Sequence, residues 1–294
     1  MRPMKNRRMP RLGRFRLAVV GLATVAVAAP LAGWMTSTAI GAHWAQVVDD
    51  TMTDLPQSLK VLQLVYAYLA IPTFVLAFAV LCWLTYRRSR RAALTYAAVM
   101  LLTNLSVQFV KLAPLGLTPS STSLDPLSGH VGVAAGVVLG WLLVAPVTRH
   151  LRSEVLSAAV LVAVTSGVML AGWHSPFQVL CPLLFGMGWS LVGAAVLARD
   201  AAPPTLRART GRDIAAIVSG AVVVGISTAV LLADAATFPH VGAGPVVLAV
   251  CWTTGWCAVA VGVVDLASTR IRDPYAVAPL GTVSPATADA RRTT

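Results

Sequence analysis

The chain has 294 residues, of which 57% are hydrophobic and 12% charged, with a formal net charge of +12 and a mean hydropathy of +0.75. A soluble domain of this length carries far more charge on its surface, so a water-soluble globular fold is excluded. The basic balance would suit nucleic acid, but the placement of the basic residues along the chain points elsewhere.

Apolar runs recur that are long enough to cross a hydrocarbon core of about 30 Å, which takes roughly 20 helical residues. Helices are the natural solution there, because each satisfies its own backbone hydrogen bonds. The class expected is therefore all-α, a polytopic membrane bundle of about eight transmembrane helices.

The basic cytoplasmic N-terminus, residues 1–16, holds Arg2, Lys5, Arg7, Arg8, Arg11, Arg14 and Arg16. The first span is expected over Leu17–Ile40. Its "AVAAP" loosely imitates a signal-peptidase site, while its length favours an uncleaved anchor. An outer segment with Asp49, Asp50, Asp54 and Lys60 leads to a second span, Val61–Tyr86, which is followed at once by Arg87, Arg88, Arg90 and Arg91. The third span, Ala92–Val110, carries Asn104, Gln108 and Lys111 at i, i+4 and i+7, a spacing that predicts one shared polar face. After the outer loop "APLGLTPSSTSLDPLSG", a fourth span, Val131–Val147, places Gly132, Gly136 and Gly140 four residues apart. Such a stripe of small residues lets a neighbouring helix approach closely.

Spans five to eight are expected at Val155–Trp173, Phe177–Leu197, Ile214–Leu232 and Val246–Leu266. Asp265 reads as an anchor at the end of the last one, next to Arg270. The tail, 269–294, is rich in Ala, Pro and Thr and is expected to be a disordered cytoplasmic extension. All of the 23 Lys and Arg residues except Lys60 and Lys111 then fall on one side. The positive-inside rule puts that side, and both termini, in the cytoplasm of a multi-pass cell-membrane protein. The basic excess is thus a topology signal that also attracts anionic headgroups, and no nucleic-acid partner is implied. Cys82, Cys181, Cys251 and Cys257 show neither disulfide nor zinc spacing.

On this topology, Lys111 at the end of the third span, Ser128, Gly129 and His130 at the start of the fourth, and His174 between the fifth and sixth share the outer face. Their order and spacing resemble the type 2 phosphatidic acid phosphatase and haloperoxidase superfamily, in its membrane branch that removes phosphate from lipids. The family's first motif, Lys, six residues, Arg-Pro, corresponds to "KLAPLGLTP", with Thr118 in place of the arginine before Pro119. Its second, Pro-Ser-Gly-His, corresponds to "LSGH", with Leu127 for proline. Its third, Ser-Arg, five residues, His, three residues, Asp, corresponds to "GVMLAGWHSPFQ". There Gly167 and Val168 replace Ser-Arg, and Gln178 replaces the aspartate.

The resemblance implies a six-helix core, 17–200, with two additional helices, 201–268, as an appendage. It also implies His174 as nucleophile, forming a phosphohistidine, and His130 as general acid. Lys111, Ser128 and Gly129 would bind phosphate at a helix N-terminus, and Gln178, four residues after His174, would orient the imidazole. The expected reaction is hydrolysis of a lipid phosphate or pyrophosphate, of phosphatidate or polyprenyl type, with no metal and no cofactor. A catalytically inactive relative that binds lipid headgroups or a protein partner is the alternative. Two charged hydrogen bonds, each contributing about 1.5 to 3 kcal/mol, leave with the arginines at 118 and 168. A metal site drawn from His43, His130, His174, His240, Asp125 and Asp234 has no short recognised spacing, and a transporter would show internal repeats that are not evident.

Overall fold

The computed structural model describes residues 11–39, 57–112, 127–145, 150–171, 173–198, 207–234 and 244–269. Among these residues there are eight α-helices and no strand. The helices are α1 (Arg11–Ser37), α2 (Gln57–Tyr86), α3 (Arg90–Leu112), α4 (Gly129–Val144), α5 (His150–Leu170), α6 (Pro176–Leu197), α7 (Arg207–Asp234) and α8 (Gly244–Thr269).

Six contain a segment long and apolar enough to cross a membrane: Gly13–Leu31, Tyr68–Tyr86, Arg90–Leu112, Arg152–Leu170, Pro176–Leu197 and Val247–Ser268. Shorter apolar helices run over Gly129–Val144 and Ile214–Val230. The protein is thus a membrane-embedded helical bundle. Residues 1–10 of the basic N-terminus, residues 40–56 and 113–126 of the two longer connecting segments, and the expected disordered tail from residue 270 on lie outside the described residues.

Helix α6 is the hub. Of its span 72% is buried, against 11% for α1 and 6% for α2, and α1, α3, α4 and α8 all pack on it. Apolar lipid tails give helices no hydrophobic reason to associate, so contact relies on close packing and interhelical hydrogen bonds. Glycines provide the closeness. A Cβ on Gly21 of α1 would stand 2.6 Å from the Gly188 carbonyl oxygen of α6, and one on Gly188 would stand 2.8 Å from the Gly21 oxygen.

The Gly132, Gly136 and Gly140 stripe of α4 lies against Val107, Met100 and Tyr96 of α3, as its spacing suggested. Polar ties reinforce these seams. Tyr96 donates its hydroxyl to the Val137 carbonyl at 3.1 Å, and Trp189 of α6 donates to Ser106 Oγ of α3 at 2.9 Å.

Three expectations change. The last two helices are not an appendage: Trp252, Cys257, Ala260, Val261 and Val264 of α8 belong to the same buried cluster as residues of α4, α5 and α6. Residue 200 therefore does not separate two cores, and of these two helices α7 is the peripheral one, resting on α8. Secondly, the face shared by Asn104, Gln108 and Lys111 lies beside the buried face of α3 and not on it. The buried face of α3 is Tyr96, Val99, Thr103, Val107 and Val110; Asn104 and Lys111 border it and Gln108 is exposed. Apolar volume, which fills the interface with α4, outranks the polar period. Lastly, Asp265 is an interior residue, 1% exposed, accepting from Ser268 Oγ at 3.3 Å. A carboxylate on the packed face of α8 is carried inside with its helix.

Candidate functional site

At one end of the bundle, the end of α3, the start of α4 and the connector between α5 and α6 meet. Ser128 is the N-cap of α4, in an extended backbone conformation, and its hydroxyl accepts from Val131 N–H at 3.4 Å. This is the usual means of satisfying one of the four amide groups that a helix start leaves open. Gly129 and His130 then form the first turn of α4, with amide dipoles pointing out of the helix. Serine, a helix-start former, directly before glycine and an apolar run makes this turn where the sequence does.

The Lys111 ammonium stands over that turn. A Cβ on Gly129 would lie 3.8 Å from Lys111 Nζ, an ordinary contact distance. The ammonium therefore approaches the bare glycine closely, at the contact distance of the side chain that position lacks. A cation and a helix N-terminus side by side both favour an anion. Lys111 is half-buried, and Leu112 beside it is 81% exposed.

The α5–α6 connector approaches from the other direction. Helix α5 closes with a wide turn in which Trp173 N–H donates to the Val168 carbonyl at 3.2 Å. His174 follows, 9% exposed, and Ser175 is the N-cap of α6 with Pro176 in its first turn. Ser128 N–H donates to the Gln178 carbonyl at 3.1 Å, which joins the starts of α4 and α6 directly. The Trp173 ring lies 5.4 Å from the His130 ring, tilted by 35°. His130 thus packs against the residue next to His174.

All six residues singled out from the sequence are gathered around this junction: Lys111, Ser128, Gly129 and His130 on one side, His174 and Gln178 on the other. Gln178 has a task that the motif alignment did not anticipate. Its side-chain Oε1 accepts from Ser175 N–H at 2.9 Å, while its own N–H donates to the Ser175 carbonyl at 3.1 Å. The signal was legible as Ser-Pro-Phe-Gln, serine followed three residues later by glutamine, the spacing of a capping box. Trp173 was also missed as a neighbour of His130; its only sequence signal is its place beside His174.

Val168, aligned with an arginine of the motif, is fully buried in the apolar cluster. Thr118, Pro119, His43, His240 and Asp125 lie outside the described residues. Lys60 lies in the first turn of α2 and Asp234 ends α7. Among the described residues no three His, Cys, Asp or Glu side chains come together as metal ligands. No family model matches the chain, and neither a curated protein nor a solved structure matches it.

Proposed function

We propose that the junction is the phosphate site of a lipid phosphate phosphatase that works at the outer face of a bacterial cell membrane. In this reading the chain crosses the membrane eight times, α4 and α7 included, with both termini cytoplasmic. The observation that carries it is the Lys111 ammonium beside the first turn of α4, with His130 in that turn and the His174 connector bound to it through Gln178 and Trp173.

The phosphate of a phosphatidate or polyprenyl lipid sits between Lys111 Nζ and the amides after Ser128. His174 attacks phosphorus and the phosphorus–oxygen bond to the lipid breaks. His130 protonates the departing oxygen, and water then hydrolyses the phosphohistidine. Phe109 and Leu112, 70% and 81% exposed on α3 next to Lys111, suit a substrate whose chains stay in the lipid.

A specific observation favours the second reading, an inactive relative that binds headgroups. Val168 fills with a buried methyl pair the position where an arginine would face phosphate, and the Gln178 oxygen is already engaged at the helix start. The test is release of inorganic phosphate from a panel of lipid phosphates by the purified protein, with His174→Ala and Lys111→Ala controls. Release abolished by His174→Ala and reduced about 10-fold to 100-fold by Lys111→Ala, the range for one charged hydrogen bond, supports the enzyme. Release no greater than that of His174→Ala across the panel rejects it in favour of binding.

A further inference from the structure

The opposite end of the bundle holds a second arrangement, independent of the phosphatase reading. Helices α2 and α3 are joined by the turn Arg87-Arg88-Ser89. The turn is fixed by its own hydrogen bonds: Arg88 N–H and Ser89 N–H both donate to the Thr85 carbonyl, at 3.0 and 2.8 Å, and Ala92 N–H donates to Ser89 Oγ at 3.2 Å. Arg91 turns inward and its guanidinium donates to the Val196 carbonyl at the end of α6.

Arg87 and Arg90 turn the other way. The Arg87 guanidinium carbon lies 5.1 Å from the centroid of the Trp83 ring, and that of Arg90 lies 5.6 Å from the Tyr86 ring. Trp83 and Tyr86 are three residues apart on α2, so they share a face, and they are 56% and 49% exposed. That face belongs to a helix whose span is 6% buried, so it is turned to lipid. Arg87, Arg88 and Arg90 form no ion pair with a carboxylate among the described residues.

We propose that this turn is a binding site for the phosphoryl headgroup of an anionic phospholipid, held by the stacked guanidinium groups of Arg87 and Arg90. The rings set the depth, because tryptophan and tyrosine settle at the headgroup level. Stacking then restricts each guanidinium to the lipid-facing side, where its planar fork of donors matches phosphate oxygens. A cationic belt that only reported topology would attract anionic lipid in proportion to its charge. This turn instead positions two particular cations over two particular rings, with no carboxylate counter-ion among the described residues.

The experiment is a native mass spectrometry titration of the purified protein in detergent with phosphatidylglycerol and, separately, phosphatidylcholine. Arg87→Gln is expected to weaken phosphatidylglycerol binding roughly 5-fold, the value of one cation at an anionic headgroup, and to leave phosphatidylcholine binding unchanged. Arg90→Gln is expected to do the same. Arg152→Gln removes an exposed arginine in the first turn of α5, and is expected to have no effect. Arg87→Lys keeps the charge without the planar fork, and is expected to recover only part of the loss. The proposal is overturned if Arg87→Gln leaves phosphatidylglycerol binding intact, or if Arg152→Gln weakens it equally. Equal weakening of phosphatidylcholine binding would overturn it as well.

Discussion

Gln178 shows how a single side chain is claimed by backbone chemistry before it is available to a site. Its Oε1 accepts from Ser175 N–H, and with Gln178 6% and Ser175 6% exposed neither group is accessible to solvent in its place. Gln178→Ala leaves that amide unsatisfied at the helix start. It is expected to lower stability by about 1 kcal/mol, read as a lower unfolding midpoint in detergent. Gln178→Glu retains an acceptor at the same place and is expected to recover most of the loss. Since the cap fixes the connector that carries His174, any phosphate release should fall in Gln178→Ala and return in Gln178→Glu. An unchanged midpoint in Gln178→Ala would remove the capping role.

Among the elements, the seams with the closest backbone approach depend on single hydrogen atoms. The Gly21 and Gly188 pair on α1 and α6 has its counterpart in Gly220 and Gly255 on α7 and α8. There a Cβ on Gly220 would stand 2.7 Å from the Gly255 carbonyl oxygen, and one on Gly255 2.9 Å from that of Gly220. A backbone carbonyl cannot rotate away as a side chain can, so the helices must separate. Gly21→Ala and Gly220→Ala are each expected to cost about 1–3 kcal/mol, the usual range for overpacking. Gly225 on α7 has nothing within 4 Å of its Cβ position. Gly225→Ala is therefore expected to be neutral or to stabilise by up to about 1 kcal/mol through helix propensity. Unfolding midpoints of the three variants check the contrast, and a loss in Gly225→Ala matching that of Gly21→Ala would contradict it.

On the scale of the whole molecule, α8 binds the two parts of the chain into one core. It contributes Trp252, whose indole donates to Thr228 Oγ1 of α7 at 2.9 Å and meets the Phe177 ring of α6 edge-on at 5.5 Å. Lower down, Cys257 lies 3.7 Å from Thr165 Oγ1 of α5. A chain ending at residue 200 would expose the surfaces of α4, α5 and α6 that α8 covers. It is expected to aggregate in detergent where the full chain is monodisperse by size-exclusion chromatography. A monodisperse truncated chain would show that the first six helices form a core of their own.

The sequence by itself determined the class of structure and the existence and order of all eight helices, because apolar length and basic flanks act locally along the chain. Each expected span overlaps a helix, and the glycine stripe of α4 faces a helix as its four-residue spacing required. The residues of the junction were singled out only through a motif resemblance: Lys111 and His174 are 63 positions apart, and no local period links them. What the tertiary structure alone decided is how each helix is turned and which neighbour it meets. Gln108 shares the spacing of Asn104 and Lys111 yet faces outward, since apolar packing against α4 sets the rotation of α3. Asp265 is inside because α8 is, and α8 is inside because the surfaces of α4, α5 and α6 remain uncovered without it. Helix rotation and helix partnership minimise a sum over the whole bundle, and such a sum cannot be read from one segment at a time.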